Sequence, residues 1–395
     1  MACEWLEPTG HRKTATPKSP LVHEIPGEAQ LKNKSVMLAW AVWLMGVLWP
    51  GADRLASSSP LVSGIAGLIL FGLTLGCVFH VVRQADALAE LLGEPYGTLV
   101  LTLSATAIEA ALLLSVMLAG EQNPTLLRDT VFATLMVALN GLVGLALTAG
   151  GWRHVEQAFN LRGALAFLHI IAPLSLLILV LPNYTQATAE ASLSPAQEAF
   201  LGVLCVLVYG VFLRLQVGRH RAHFDHVATG DPLPKDEQHG HEEASSSALY
   251  SAMALVLALL PIVLLSERLA VRLEFVIESL RLPPSLAGLV VTGLVLAPEG
   301  MSAFRAALEN RVQRAINLCL GSALSTIALT IPTVLIAAAL LRHSLILGVS
   351  PLNMTLLYAS LLVAIITFVS GRANLLQGTV HLMIFAAYLF FMFFL

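Results

Sequence analysis

The reading of this chain turns on residues 96–118, YGTLVLTLSATAIEAALLLSVML. At 1.5 Å of rise per residue, an apolar run of this length crosses a hydrocarbon core about 30 Å thick. Its one formal charge is Glu109, near the middle. A carboxylate at the centre of a bilayer costs at least ~2.5–3.5 kcal/mol, which a leucine would avoid. The alternative to a functional role is a glutamate hydrogen-bonded to a neighbouring helix for packing alone. Residues 286–308, LAGLVVTGLVLAPEGMSAFRAAL, repeat the pattern with Glu299 near mid-run. Two such residues in two similar settings favour function over packing.

The rest of the chain fits a membrane protein. It is 57% hydrophobic and 12% charged, whereas a soluble domain has about 25% charged residues. Apolar runs predict eleven spans, at 36–54, 60–81, 97–119, 130–150, 164–182, 196–216, 248–266, 284–306, 313–341, 353–370 and 376–394. The expected architecture is an all-α polytopic membrane protein. Residues 1–35, polar and rich in proline, are expected to be a disordered cytoplasmic tail. An extra first helix at 36–59 follows, then five helices at 60–216, a polar loop at 217–247 and five more at 248–395. Two related units with an odd number of spans must lie upside down relative to one another, the plan of many secondary transporters.

Internal similarity supports such a repeat. Arg128–Gly144 (RDTVFATLMVALNGLVG) lies over Arg314–Thr330 (RAINLCLGSALSTIALT) without a gap. Each arginine follows an intramembrane glutamate, by 19 and 15 residues. A weaker echo relates FNLRGALAFL at 159–168 to ANLLQGTVHL at 373–382. Counting Lys and Arg by side places 16 of 22 on the cytoplasmic face if the N-terminus is cytoplasmic. One segment, 267–283, then lies outside with three arginines; its helical apolar spacing suggests an interfacial helix.

Around the two carboxylates the sequence supplies oxygen. Ser104 and Thr106 lie within two turns of Glu109, and Thr106, at i−3, shares its face. Ser302 is at i+3 from Glu299. Pro298 removes a backbone donor and Gly300 follows Glu299, so a helix break with freed carbonyls is expected there. Asn140, Ser322, Ser325 and Thr326 add oxygens from the following spans. Hard cations take oxygen ligands, so Glu109 and Glu299 are the expected cation- and proton-binding pair. Arg128 and Arg314, at span starts, read as snorkelling side chains, with gating as the alternative. His169 and His381 read as hydrogen-bonded packing residues, with proton relay as the alternative. Cys3, Cys77, Cys205 and Cys319 have no metal-like spacing and read as small apolar residues. A cluster in the polar loop holds His220, His223, His226, Asp236, Glu237, His239, His241, Glu242 and Glu243. It is either a solvated linker or a sensor of cations or pH.

Taken together, SATAIE…LNGLVG and APEG…GSALST resemble the paired alpha-repeats of the calcium/cation antiporter superfamily. The last span, SGRANLLQGTVHLMIFAAYLF, resembles the closing signature of its proton-coupled exchanger branch. GEPYGTLVLTLS, PTLLRDT and APEG look close to the ChaA-type group of bacterial sodium, potassium and calcium/proton antiporters. The resemblance covers residue 36 to the C-terminus apart from the polar loop. It implies ten core helices in two inverted five-helix repeats, a bacterial inner-membrane location and exchange of Ca2+, Na+ or K+ for protons. The usual repeat motif is Gly-Asn-Ala-x-Glu; here Ala105 and Thr106, and Val295 and Leu296, stand at its first two places. The glutamates carry over and the asparagine oxygens do not, which argues for weaker binding of Na+ or K+ beside Ca2+. No Walker motif is visible and no cofactor, nucleic acid or enzymatic activity is expected. A passive cation channel is the competing reading.

Overall fold

The computed structural model describes residues 40–41, 43–44, 59–92, 96–119, 124–186, 188, 191–217 and 244–394. The expected tail, most of the first span and the whole His/acidic cluster of 220–243 lie outside these residues.

The first half contains α1 (Pro60–Leu92), α2 (Tyr96–Ala119) and α3 (Leu126–Met136), which continues through a π-helical segment, π1 (Val137–Leu142), into α4 (Val143–His154). A three-residue strand β1 (Glu156–Ala158), α5 (Leu161–Leu179) and α6 (Pro195–Val217) complete it. The second half repeats this order. It contains α7 (Ala244–Leu280), α8 (Leu286–Leu308), then α9 (Val312–Ser325), π2 (Thr326–Thr330) and α10 (Ile331–Leu341) as one rod. It ends with α11 (Pro351–Val369), β2 (Arg372–Asn374) and α12 (Leu375–Phe393). Each half therefore has a long helix, a glutamate-bearing helix, a rod interrupted by a π segment, and two further helices. Eight helical stretches among the described residues are long and apolar enough to cross a membrane.

Strand pairing reveals how the halves are oriented. β1 pairs antiparallel with β2, Gln157 opposite Ala373. β1 joins the third and fourth rods of the first half, while β2 joins the fourth and fifth rods of the second. Within one half those two connections lie at opposite ends. Their meeting requires the halves to run in opposite senses. The other end agrees: Asn183 Nδ2 donates to the Val349 carbonyl at 3.2 Å, and Ile346 N donates to the Pro124 carbonyl at 2.8 Å.

The two interrupted rods form the centre. The apolar windows of α3–π1–α4 and α9–π2–α10 are 83% and 61% buried, against 22–44% for the other six spans. Without a hydrophobic force between helices in lipid, close approach depends on small residues. At Gly378 of α12 a Cβ would collide with the backbone at Thr148 and the Gly144 carbonyl of α4, so α12 lies directly on the central rod.

Three expectations change. The segment at 267–283 is not a separate interfacial helix, because α7 runs unbroken from Ala244 to Leu280. Arg272 is buried beside α1, with its Cβ 3.8 Å from where a Cβ on Gly67 would stand. The expected break at Pro298–Gly300 is absent, and α8 is continuous from Leu286 to Leu308. A single lost donor is tolerated inside a packed membrane helix, and Leu294, Val295, Pro298 and Ala303 are all buried. The irregular backbone lies in π1 and π2 instead. The echo between 159–168 and 373–382 does not relate repeat-equivalent helices. It reflects two paired strand-to-helix corners, in which Asn160 and Asn374 cap α5 and α12 with their side-chain oxygens.

Candidate functional site

Glu109 lies on α2 and is 3% exposed. α2 packs against π2, the irregular segment of the opposite half. There Thr326 Oγ1 lies 3.0 Å from both Glu109 carboxylate oxygens, and Thr330 Oγ1 donates to Oε2 at 2.5 Å. Only the Thr330 contact has the short length typical of a hydroxyl donating to a carboxylate. Ser322, Thr326 and Thr330 are spaced by four, so one face of the rod presents all three.

Proton counting shows what this arrangement can do. Thr326 Oγ1 is also 3.0 Å from the Ser322 carbonyl, and its single hydrogen can serve only one acceptor at a time. With Glu109 ionised, Thr326 donates to the carboxylate. With Glu109 protonated, the hydroxyl turns to the Ser322 carbonyl and accepts the carboxyl proton. The site accommodates both states by rotating one hydroxyl.

Glu299 is on α8, half-buried, with its Oε2 atom shielded from solvent, in the electrostatic neighbourhood of Cys319 on α9. The adjoining Gly300 lets Leu142 of π1 pack closely, since a Cβ there would lie 2.8 Å from Leu142 Cδ2. Each glutamate helix thus lies beside the π segment of the other half. A π segment shifts the backbone hydrogen-bond register and recurs at functional sites. The chemistry of the halves differs. In the gapless overlay of Arg128–Gly144 on Arg314–Thr330, Thr326 corresponds to Asn140 and Thr330 to Gly144. The second half offers Glu109 two hydroxyls, and the first has no hydroxyl at either place.

The remaining sequence-predicted residues divide. Ser104 and Thr106 are buried on α2, and Thr106 Oγ1 has no hydrogen-bond partner among the described residues. Ser322 contributes its carbonyl, which also accepts from Ser325 Oγ at 3.0 Å. Ser302 is exposed. Asn140 is fully buried and bonded to Ser360 and His381. His169 is exposed and bonds the Leu165 carbonyl of its own helix, whereas His381 is buried. Arg314 is exposed; Arg128 is 2.9 Å from Asp129 and donates to the Gly348 carbonyl. Cys77, Cys205 and Cys319 are buried free thiols. Thr330 is the contact that sequence reasoning missed; the i, i+4, i+8 hydroxyl stripe was the available signal. Among the described residues no three His, Cys, Asp or Glu side chains cluster closely enough to hold a metal ion. A bound cation would therefore take hydroxyl and carbonyl oxygens beside a carboxylate.

A cavity of about 190 Å3 lies at the end of the bundle away from the strands, bordered by Asp129, Ser285, Ser350, Asn353 and Tyr388. Ser285, just before α8, and Thr292 and Glu299 on it are spaced by seven and lie along one face. Thr292 meets Thr134 of α3 at 3.1 Å, part way between cavity and carboxylate.

Inverted helical halves around one buried and one half-buried carboxylate, with irregular helix segments beside them, define a secondary-transporter fold. Residues 63–218 and 250–394, one segment per half, match the sodium/calcium exchanger protein family, and this chain belongs to it. It is 37% identical over 360 residues to the sodium-potassium/proton antiporter ChaA of Escherichia coli (strain K12), covering 91% of this chain and 96% of that protein. It is 40% identical over 364 residues to a Sinorhizobium fredii protein, y4hA, whose name goes no further than ionic transporter, covering 91% and 97%. Among solved structures, native YfkE superposes with a TM-score of 0.68 at 17% identity, covering 93% of this chain and 99% of that one. The H+/Ca2+ exchanger CAX does so at 0.61 and 13%, covering 91% and 89%. These two structural likenesses bear on the fold.

Proposed function

We propose that this chain is a secondary active antiporter that exchanges cations for protons at Glu109 and Glu299. The observation that carries the reading is Glu109, a mid-span carboxylate held by Thr326 and Thr330 of the opposite half. Relatives named as a sodium-potassium/proton antiporter and as Ca(2+)/H(+) antiporters support the same chemistry. Sodium, potassium and calcium are the transported cations, and one carboxylate oxygen set takes either a cation or a proton. Protonation rotates the Thr326 hydroxyl and leaves the site neutral. Cation entry requires the ionised carboxylate, so the two ligands exclude one another. The opposed halves then present the site to either side in turn, without nucleotide or cofactor. In this reading the N-terminus is cytoplasmic and the protein lies in a bacterial inner membrane. The cavity beside Asp129, which Phe132, Pro283, Phe391 and Met392 also line, then opens outward, and Thr134, Thr292 and Ser285 border the route from it to Glu299.

The test is a dye-based proton-flux assay in everted vesicles, comparing Na+, K+ and Ca2+ across pH 7–9. Wild-type protein dissipates the imposed proton gradient when cation is added. Glu109→Gln and Glu299→Gln abolish that response. Cation-dependent proton flux persisting in either variant would overturn the reading.

A further inference from the structure

The buried side chains behind π1 form a second polar group that the Glu109 site does not use. His381 of α12 is fully buried, 3.3 Å from Asn140 Oδ1 through Nδ1 and 3.1 Å from Thr367 Oγ1 through Nε2. Asn140 Nδ2 donates to Ser360 Oγ at 2.8 Å, and Ser360 Oγ donates to the Leu356 carbonyl at 2.7 Å. The hydrogens fix one direction for the whole chain. Ser360 spends its proton on Leu356, so it must accept from Asn140. The Asn140 amide oxygen therefore faces His381, whose Nδ1 carries the proton, and in the neutral ring Nε2 accepts from Thr367. Thr367, His381, Asn140 and Ser360 are thus joined head to tail, and all four are buried.

This chain ties the π segment of the first half to the last two helices of the second. On its other side π1 meets α8, where Leu142 fills the space above Gly300, next to Glu299. Asn140 also occupies the place that Thr326 holds in the other half, and Thr326 is the residue that meets Glu109. We propose that His381, acting through Asn140, is a positioning residue that holds π1 in register beside Glu299 and thereby sets cation affinity on that side. The inference rests on the antiport reading and deepens it. His381 touches neither carboxylate in this account. Its work is to fix the amide of Asn140, and it does so through Nδ1 and not Nε2.

That asymmetry gives the test. An asparagine at this position places an amide nitrogen where Nδ1 stands, whereas a glutamine places one where Nε2 stands. The variants are read in full-length protein in everted vesicles, with cation KM and maximal rate measured separately for Na+, K+ and Ca2+. His381→Gln raises KM about five- to tenfold, the scale of one lost hydrogen bond between neutral groups, with maximal rate within about twofold. His381→Asn restores most of the affinity. Asn140→Ala gives the same KM shift, and combining it with His381→Gln adds nothing further. Should His381→Gln fail to accumulate, Ser360→Ala breaks the chain from the far end and is expected to shift KM in the same direction. Equal effects of the Asn and Gln variants, additive effects of Asn140→Ala and His381→Gln, or an unchanged KM in Ser360→Ala would overturn the inference. Glu299→Gln separates the two levels. If that variant is inactive while the His381 variants leave KM unchanged, this inference alone fails. If Glu299→Gln still exchanges cations for protons, the antiport reading fails first.

Discussion

Replacing Thr330 by valine removes one hydroxyl and keeps the branched shape, so it isolates the shortest contact in the Glu109 site. Thr330 Oγ1 donates to Glu109 Oε2 at 2.5 Å, and both residues are buried. A hydrogen bond to a charged group contributes about 1.5–3 kcal/mol. At about 1.4 kcal/mol per tenfold, this corresponds to a roughly 10- to 150-fold effect. The bond supports the ionised carboxylate that a cation binds, so its loss raises cation KM by that factor at constant pH. Thr326 makes a useful contrast, because its hydroxyl already has a second acceptor in the Ser322 carbonyl at 3.0 Å. Its proton is shared between two partners, and Thr326→Val is expected to raise KM less than Thr330→Val. Thr330→Ser keeps the donor and stays within about threefold of wild type on the same scale. The assay is initial proton flux against cation concentration in vesicles containing matched amounts of each variant. A Thr330→Val protein with unchanged KM, or a Thr330→Ser protein as impaired as the valine variant, would rule out this role for the Thr330 hydroxyl.

Further outcomes follow from packing and charge. Gly378→Val forces a side chain into the backbone at Thr148 and is expected to lower the melting temperature in detergent by several degrees, because overpacking costs about 1–3 kcal/mol. Asp129→Asn removes the partner of Arg128 at the end of α3. With Asp129 buried and Arg128 partly exposed, it is expected to cost about 2 kcal/mol, read as a clear fall in thermal midpoint. By contrast, Glu156→Gln breaks an exposed pair with Arg372 at 2.9 Å and should move that midpoint by less than about 2 °C.

Much of this architecture is legible in the sequence because lipid imposes one rule on every span. Long apolar runs give the helices, and their limits at 130–150, 196–216 and 376–394 fall within a few residues of the observed rods. A carboxylate in mid-span is expensive enough to announce itself, so Glu109 and Glu299 stand out unaided. What the sequence does not disclose depends on partners far along the chain. The contacts that define the Glu109 site join residues 217 and 221 positions apart, and Asn140 meets His381 across 241. The π segments have no local signature, since their register is set by the helices packed on both sides. Pro298 is a strong local signal that tertiary packing overrides, and α8 passes through it unbroken. The charges at 267–283 misled for a related reason. Positive-inside counting treats arginines as exposed, whereas Arg272 is buried where α7 packs on α1.

If protons and cations compete for the buried Glu109 carboxylate, cation binding at equilibrium releases protons without transport. Purified wild-type and Glu109→Gln proteins are placed in weakly buffered detergent with a pH-indicator dye, and Na+, K+ or Ca2+ is added. Saturable proton release is expected from wild-type protein, with a clear loss of that release from Glu109→Gln. Equal proton release from both proteins at the same cation concentrations would contradict such competition.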